Sequence, residues 1–523
     1  MGDELHHECG IAAVCLLDRP AGKPGPASRA VTNGDVAGFL PSMLLDLQNR
    51  GQLAAGISSY DPRRPQVLDT YKDVGTVAEA FRMSHPAKHR AILQEYAGRA
   101  AIGHTRYATC GADDARYAQP FERHHGRLWK WFSFAFNGNL ANFTELRDRL
   151  TGTRGYHFSL NTDTEILMHA LAYRLRGDRP AGLRQVMSSM ARSFDGAYNL
   201  VFMDASGRMF VARDPLGFRP LSWAVQGKLF AAASESVALA NMGFTEITSL
   251  APGEMAVIER GRLRFERFAR PRPHAHCFFE WIYFSNVAST MDGVSVYIAR
   301  ARSGQRLAEL EDQRMDENCV VVPVPDTAKA AADAYAFQMG VPSVEGLIRN
   351  RYVGRTFIQP SSLRAWTARG KYTPLPAVLT GKRVFVIEDS IVRSTTLRSL
   401  LGQMRHRGRA KEIHVRVACP PIVAPCFYGI DMSTLGELFA PRFVDRRYSG
   451  APDPPTLRRM AKAIGADSLR YLSVDDLAGC LRVRGRDLCL GCVTGRYPTP
   501  WGNRLMTRAK RCRAAGRTGR TYE

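Results

Sequence analysis

Residues 381–408 read GKRVFVIEDSIVRSTTLRSLLGQMRHRG, and their order decides one half of the fold. The run RVFVI is short, apolar and β-branched, which reads as a buried strand. It ends on two acids, Glu388 and Asp389, and a hydroxyl-rich loop follows. Leu397, Leu400, Leu401 and Met404 then recur at helical spacing. A phosphate at that helix start would meet unpaired backbone N–H groups and the positive end of the helix dipole. Ser390, Thr395 and Thr396 would add hydroxyls, with Ser394 in the same turn. The two acids would hold adjacent sugar hydroxyls.

The same strand, loop and helix unit occurs upstream. CVVVPV (319–324) is a buried-strand run, and in the following PDTAKAAADAYAF the residues Ala328, Ala331, Ala332, Tyr335 and Ala336 share one helical face. EIHVRVAC (412–419) supplies a further strand. Strands alternating with helices imply a parallel sheet with ligands at its carboxyl ends. Residues 9 to about 260 differ. WKWFSFAF before a turn at NGNL, then AYNLVFMD, RMFVARD and KLFAAAS, read as stacked, mostly antiparallel sheets. Prolines in RFARPRPHAHC (267–277) mark the join.

At 523 residues the chain has room for two or three domains. It is 45% hydrophobic without an apolar run near the ~20 residues of a membrane helix, and residues 1–8 lack the layout of a secretory signal. A cytoplasmic location is expected. The formal charge of +23 admits nucleic acid, a membrane surface or a polyanionic substrate. Its densest cluster, RLMTRAKRCRAAGRTGRTYE (504–523), reads as a solvated or disordered tail rather than a nucleic-acid arm. Eleven cysteines without an export signal argue against a disulfide framework, leaving reactive thiols or metal ligands.

Behind CGI at Cys9 come LQNRGQLAAGI, GHTRYATCG, FNGNL, NTDTEIL and RDPLGFRPL. Singly each is a turn or a cap. Together they resemble class II glutamine amidotransferases, whose glutaminase domain has an N-terminal nucleophile. The resemblance implies that Cys9 attacks the glutamine amide once residues 1–8 are removed as a propeptide. Its new α-amine would take the thiol proton, since such an amine titrates at ~7.7 to 8.0 and a peptide nitrogen cannot serve. By the same resemblance Asn137 and the Gly138 N–H form the oxyanion hole, Arg106 clamps the substrate carboxylate and Asp163 its ammonium. Taken alone, Arg106 is a surface ion-pair partner and Asp163 a helix N-cap. The family usually has histidine, an acid and histidine where this chain has Asn49, Leu53 and Phe136, and glycine at Ala13.

The acid, loop and helix order of 384–404 resembles the type I phosphoribosyltransferase signature. With PDTAK, residues 349–356 and CPPIVAPCFYGIDMST, the chain is similar to the amidophosphoribosyltransferase family. That resemblance implies pyrophosphate binding at Asp326, Thr327 and Lys329, and a loop carrying Arg349, Arg351 and Arg355 that folds over phosphoribosylpyrophosphate. It also implies magnesium at Glu388 and Asp389. The family usually has aspartate at 388 and glycine at 394; Ser394 would be strained if its φ were positive.

One branch of the family pairs a propeptide with a 4Fe-4S cluster. Cys489 and Cys492 in CLGC, with Cys277 and Cys426, match its ligand positions; a redox dithiol or a zinc site are the other readings. The expected architecture is a propeptide (1–8) and an α-β-β-α glutaminase sandwich (9–260). A type I phosphoribosyltransferase domain (275–480) and a strap with the CxxC and basic tail (481–523) follow. The expected reaction joins ammonia from glutamine to phosphoribosylpyrophosphate, giving 5-phosphoribosylamine, the first step of purine synthesis. A homo-oligomer inhibited by purine nucleotides goes with it. A paralogue with another acceptor, or a sensor that has lost turnover, are the rival functions.

Overall fold

The structure, a computed structural model, describes residues 9–516 apart from 32, 108–114, 161, 350–371, 431, 433 and 445–447. The expected propeptide and the loop arginines Arg351 and Arg355 lie outside the described residues.

Two antiparallel sheets face each other in the first half. One has seven strands in the order Ile247–Ser249, Ser222–Gln226, Leu229–Ala233, Gly10–Leu16, Ala100–Arg106, Ala54–Tyr60 and Leu68–Val74. The other has six: Arg262–Arg267, Glu254–Glu259, Met209–Ala212, Gly196–Asp204, Phe132–Leu140 and Phe121–Arg123. The period of two along each strand sorts side chains between layers. Ile11 and Ala13 pack between the sheets with Ile102, Ala135 and Val201. Their neighbours Ala12 and Val14 pack outward against Leu40, Leu44 and Leu239. On the far face, Phe134, Phe136 and Phe202 meet Ile166, Leu167 and Met187 of the helices Asp163–Arg174 and Leu183–Ala191. Both faces of each sheet are thus covered, which is why GIAAVCL is apolar throughout rather than alternating.

NGNL departs from the turn expected of it. Residues 137–140 continue the strand, with Asn137 opposite Asn199 and Gly138 opposite Tyr198. The outward Phe136 and the inward Asn137 belong to one unbroken pleat, and the long partner Gly196–Asp204 holds it extended.

The second half holds a four-stranded parallel sheet, Cys319–Pro323, Arg383–Glu388, Glu412–Val417 and Ser468–Tyr471. The helices Val296–Glu309 and Lys329–Met339 cover one face through Leu307, Ala331, Ala332 and Tyr335. Thr395–His406 and Pro454–Ile464 cover the other through Leu397, Leu400, Leu401, Met404 and Met460. After Arg267 the chain is irregular until His276–Cys277, which pairs in parallel with Leu488–Cys489.

The C-terminal basic stretch also differs from expectation. Thr499 caps a helix, Pro500–Ala514, that buries Leu505, Met506 and Ala509. Its basic residues obscure an apolar stripe at helical spacing. No helix among the described residues is long and apolar enough to cross a membrane.

Candidate functional site

Cys9 stands half-buried just before the strand Gly10–Leu16, with its Sγ 3.9 Å from the Tyr107 carbonyl oxygen. The antiparallel register sets this: Gly10 lies opposite Thr105, and the Gly10 N–H donates to Thr105 Oγ1 at 3.2 Å. Arg106, at the same strand end, is buried, its guanidinium 5.2 Å from the Tyr117 ring centroid. Asn137 is wholly buried, and its Nδ2 donates to Ser234 Oγ at 3.4 Å. That hydroxyl also accepts the Ile11 N–H at 3.0 Å, which ties Asn137 to the strand that begins beside Cys9. Gly138 has φ 152°, and a Cβ there would stand 2.0 Å from the Ala197 carbonyl oxygen. Only glycine fits so close to the next strand.

Asp163 opens the helix Asp163–Arg174, and its Oδ2 accepts the Leu140 N–H at 3.4 Å. The cap expected of Asp163 belongs to Thr162, whose hydroxyl accepts the Glu165 N–H. Burial raises the Asp163 pKa to about 6, against opposing backbone hydrogen bonds.

A second cleft opens at the carboxyl ends of the parallel strands. Asp326, Thr327, Arg349, Glu388, Asp389, Ser390, Ser394 and Thr396 line it. Thr327 Oγ1 and Ser390 Oγ both donate to the Asp389 carboxylate, the latter at 2.6 Å. Burial raises both acid pKa values, and the neighbouring Asp389 charge pushes Glu388 further. Arg349 pairs with Asp326 at 2.7 Å. Lys329 and Thr395 do not line the cleft: Lys329 Nζ lies 3.5 Å from Asp333, and Thr395 is exposed. Ser394 has φ 72° and ψ −7° and heads the helix without a side-chain cap bond.

Arg300 and Tyr372 also line this cleft. Arg300 is buried and held by the carbonyls of Trp281 at 2.8 Å and Ser285 at 2.8 Å, and burial lowers its pKa to about 10. On the sequence it is one arginine among several on a basic helix, so no local signal marks it. Asn49 and Gln52 arrive from the other half of the chain.

The four cysteines singled out by sequence meet. Cys277, Cys426, Cys489 and Cys492 line one small cavity of about 20 Å³ with Phe218, Arg219, Tyr428 and Tyr497. The pairing of Cys277 with Cys489 aligns two of them. In CLGC, a Cβ on Gly491 would lie 2.5 Å from the Tyr497 ring, so the turn between the thiols passes beneath that ring. Burial lifts the Cys489 thiol to about 12 and Cys492 well upward, the latter reinforced by Cys489, Cys426 and Cys277. Among the described residues, no three His, Cys, Asp or Glu side chains are disposed around a single ion.

A buried ion network lies between the sites. Arg50 pairs with Glu235 and Glu280, each at 2.6 Å, and Arg219 stands 3.5 Å from Glu280. Arg219 also donates to the Tyr428 carbonyl at 2.6 Å beside the cysteine cavity. All four side chains are almost wholly buried, so two positive and two negative charges neutralise one another out of water.

Residues 80–251 match the family model described as a glutamine amidotransferase domain. An amidophosphoribosyltransferase from Methanothermobacter thermautotrophicus is 36% identical over 500 residues, covering 95% of this chain and 96% of the relative. One from Bacillus subtilis is 38% identical over 467 residues, covering 87% and 90%. Among solved structures, the B. subtilis glutamine phosphoribosylpyrophosphate amidotransferase complexed with ADP and GMP has a TM-score of 0.77 at 34% identity, covering 94% of this chain and 98% of that one. With relatives this similar along almost their whole length, and with both halves folded as described, the chain belongs to the amidophosphoribosyltransferase family.

Proposed function

We propose that this chain releases ammonia from glutamine at Cys9 and uses it to displace pyrophosphate from phosphoribosylpyrophosphate, yielding 5-phosphoribosylamine for purine synthesis. One observation carries the reading: residues of the glutaminase half, Asn49 and Gln52, line the cleft of the phosphoribosyltransferase half. Two chemistries that share ammonia, a diffusible and readily protonated intermediate, therefore meet at a common boundary.

Cys9 Sγ attacks the glutamine carboxamide carbon, and its proton passes to the α-amine that Cys9 gains when residues 1–8 are removed. Asn137 Nδ2 and the Gly138 N–H hold the tetrahedral oxyanion. The C–N bond breaks as the amine returns the proton to the departing ammonia, and water hydrolyses the thioester to glutamate. Arg106 holds the substrate carboxylate and Asp163 its ammonium. In the second cleft, ammonia attacks the anomeric carbon as the bond to pyrophosphate breaks. The turn at Asp326 and Thr327 with the arginines 349, 351 and 355 takes the phosphates, and the loop of Ser390, Ser394 and Thr396 holds the 5-phosphate.

Glu388 and Asp389 would hold magnesium: burial raises the proton affinity of both carboxylates, and a bound cation would offset that cost. When bound, magnesium neutralises phosphate charge as pyrophosphate leaves. The cysteine cavity suits a 4Fe-4S cluster. Its four thiols, drawn from three segments of the chain into one pocket, are the all-cysteine donor set such a cluster takes, and a zinc site would take the same set. The cluster would tie the strap to the domain junction. Self-association, purine-nucleotide inhibition and a cytoplasmic location belong to the same proposal; the B. subtilis relative was solved with ADP and GMP.

The test is steady-state pyrophosphate release by purified protein given glutamine and phosphoribosylpyrophosphate. Turnover supports the reading; a protein that binds both and releases none is a sensor.

A further inference from the structure

Asn49 lines the phosphoribosyl cleft although it belongs to the glutaminase half. Its Nδ2 is committed twice, donating to Glu235 Oε1 at 2.8 Å and to the Phe284 carbonyl at 2.9 Å. These bonds fix the carboxamide plane and therefore the direction of Oδ1. That oxygen is buried and has no hydrogen-bond partner among the described residues. A buried acceptor left unmade costs about 1 to 3 kcal/mol, so it calls for a ligand that supplies a donor.

The position relates Asn49 to the other site. Asn137 bonds to Ser234, Glu235 follows Ser234 in sequence, and Glu235 accepts from Asn49. A short polar string thus runs from the proposed oxyanion hole to the second cleft. The Asn137 Oδ1 at its start is likewise buried without a partner among the described residues. The Glu235 charge along the string is answered by Arg50 at 2.6 Å.

The chemistry of the acceptor identifies the donor. Ammonia attacks through its nitrogen lone pair, so a residue that positions it must engage an N–H and leave that pair free. A carboxamide oxygen does so. A carboxylate in the same place would favour ammonium, which has no lone pair to give, and a donor such as lysine would occupy the pair.

We propose that Asn49 is the positioning residue that accepts an N–H of ammonia through Oδ1 where it enters the phosphoribosyl cleft. This rests on the two-step reaction proposed above and assigns a group to its transfer.

The test measures glutamate and pyrophosphate in the same reaction, with full-length protein, glutamine and phosphoribosylpyrophosphate. Wild-type protein should give nearly one pyrophosphate per glutamate. Asn49→Ala should lower that ratio about fivefold, the worth of one hydrogen bond, while glutamate release stays within about twofold. Asn49→His offers one donor and one acceptor when neutral. It should restore the ratio at pH 8 and lose it at pH 6, where imidazole is largely protonated, relative to wild type at each pH. An unchanged ratio in Asn49→Ala would overturn the inference. So would loss of both half-reactions in Asn49→Ala, or a His variant whose ratio does not follow pH, since either would make Asn49 a packing residue. A wild-type protein that makes no product from glutamine or from ammonium chloride would overturn the functional reading itself, and the inference with it.

Discussion

Ser394 offers a comparison in which the usual ranking of two small residues should reverse. Its φ of 72° places a Cβ in the left-handed region at the head of the helix Thr395–His406. There the Cβ crowds the following carbonyl at a cost of roughly 1 to 2 kcal/mol. The hydroxyl recovers little, for it makes no cap bond. Glycine would relieve the crowding but adds about 0.4 to 1 kcal/mol of unfolded-chain entropy. Alanine keeps the Cβ and has no such entropy. Ser394→Gly should therefore be about 0.5 to 1 kcal/mol more stable than Ser394→Ala, although within a helix glycine is the worse by a similar amount. Guanidinium denaturation of both variants, followed by circular dichroism, measures the difference. The KM for phosphoribosylpyrophosphate should fall in Ser394→Gly if the side chain also crowds the 5-phosphate. If Ser394→Ala proved the more stable, the backbone would not hold the strained angle.

The other expectations concern single groups. Asp163, with its pKa raised to about 6, must be ionised to hold the substrate ammonium, so below pH 6 kcat/KM for glutamine should lose a further factor of about ten per pH unit, beyond the loss that protonation of the Cys9 α-amine at ~7.7 to 8.0 already imposes. Synthesis from ammonia, expressed per free NH3 rather than per total ammonium, should not share that further fall. The sign for stability is opposite: a buried acid with a raised pKa loses stability as pH rises from its unfolded value of 3.8 to about 6 and carries the full cost above that, so Asp163→Asn should be the more stable protein at pH 8 and nearly inactive with glutamine. Protein purified without oxygen should be brown, carry iron and acid-labile sulfide, and lose both in Cys489→Ser. Because burial keeps the thiols protonated, cluster loading should release protons and improve with rising pH. Stoichiometric zinc after growth with ample iron would contradict the cluster.

What the sequence made legible is what local pattern controls. The apolar faces of Ala331, Tyr335, Leu397 and Leu401 followed from helical period, and all four are buried. The acids, hydroxyl loop and helix came in the order of the cleft they line. The four cysteines, distant in sequence, line one cavity, and only resemblance named them together; spacing alone marks Cys489 and Cys492. What stayed hidden depends on long-range partners. Arg50 reads as a loop residue until Glu235 and Glu280, about two hundred residues on, neutralise it. Arg300 looks like surface charge on a basic helix, and Asn49 like a lost histidine. Asn137 to Leu140 look like a turn because asparagine and glycine are turn residues in isolation, but a partner strand of matching length outweighs that preference. The basic C-terminal helix was masked in the same way, by charge on one face of an apolar stripe.

The central claim is that one thiol feeds a distant phosphoribosyl site, and Cys9→Ala tests it most directly. The substitution removes the sulfur that forms the glutamyl thioester and leaves Glu388, Asp389, Thr327 and Thr396 in place. Pyrophosphate release is measured with glutamine and, separately, with concentrated ammonium chloride at pH 8. The account predicts no synthesis from glutamine and near wild-type synthesis from ammonia. Glutamine-dependent synthesis that survived the loss of Cys9 would contradict it.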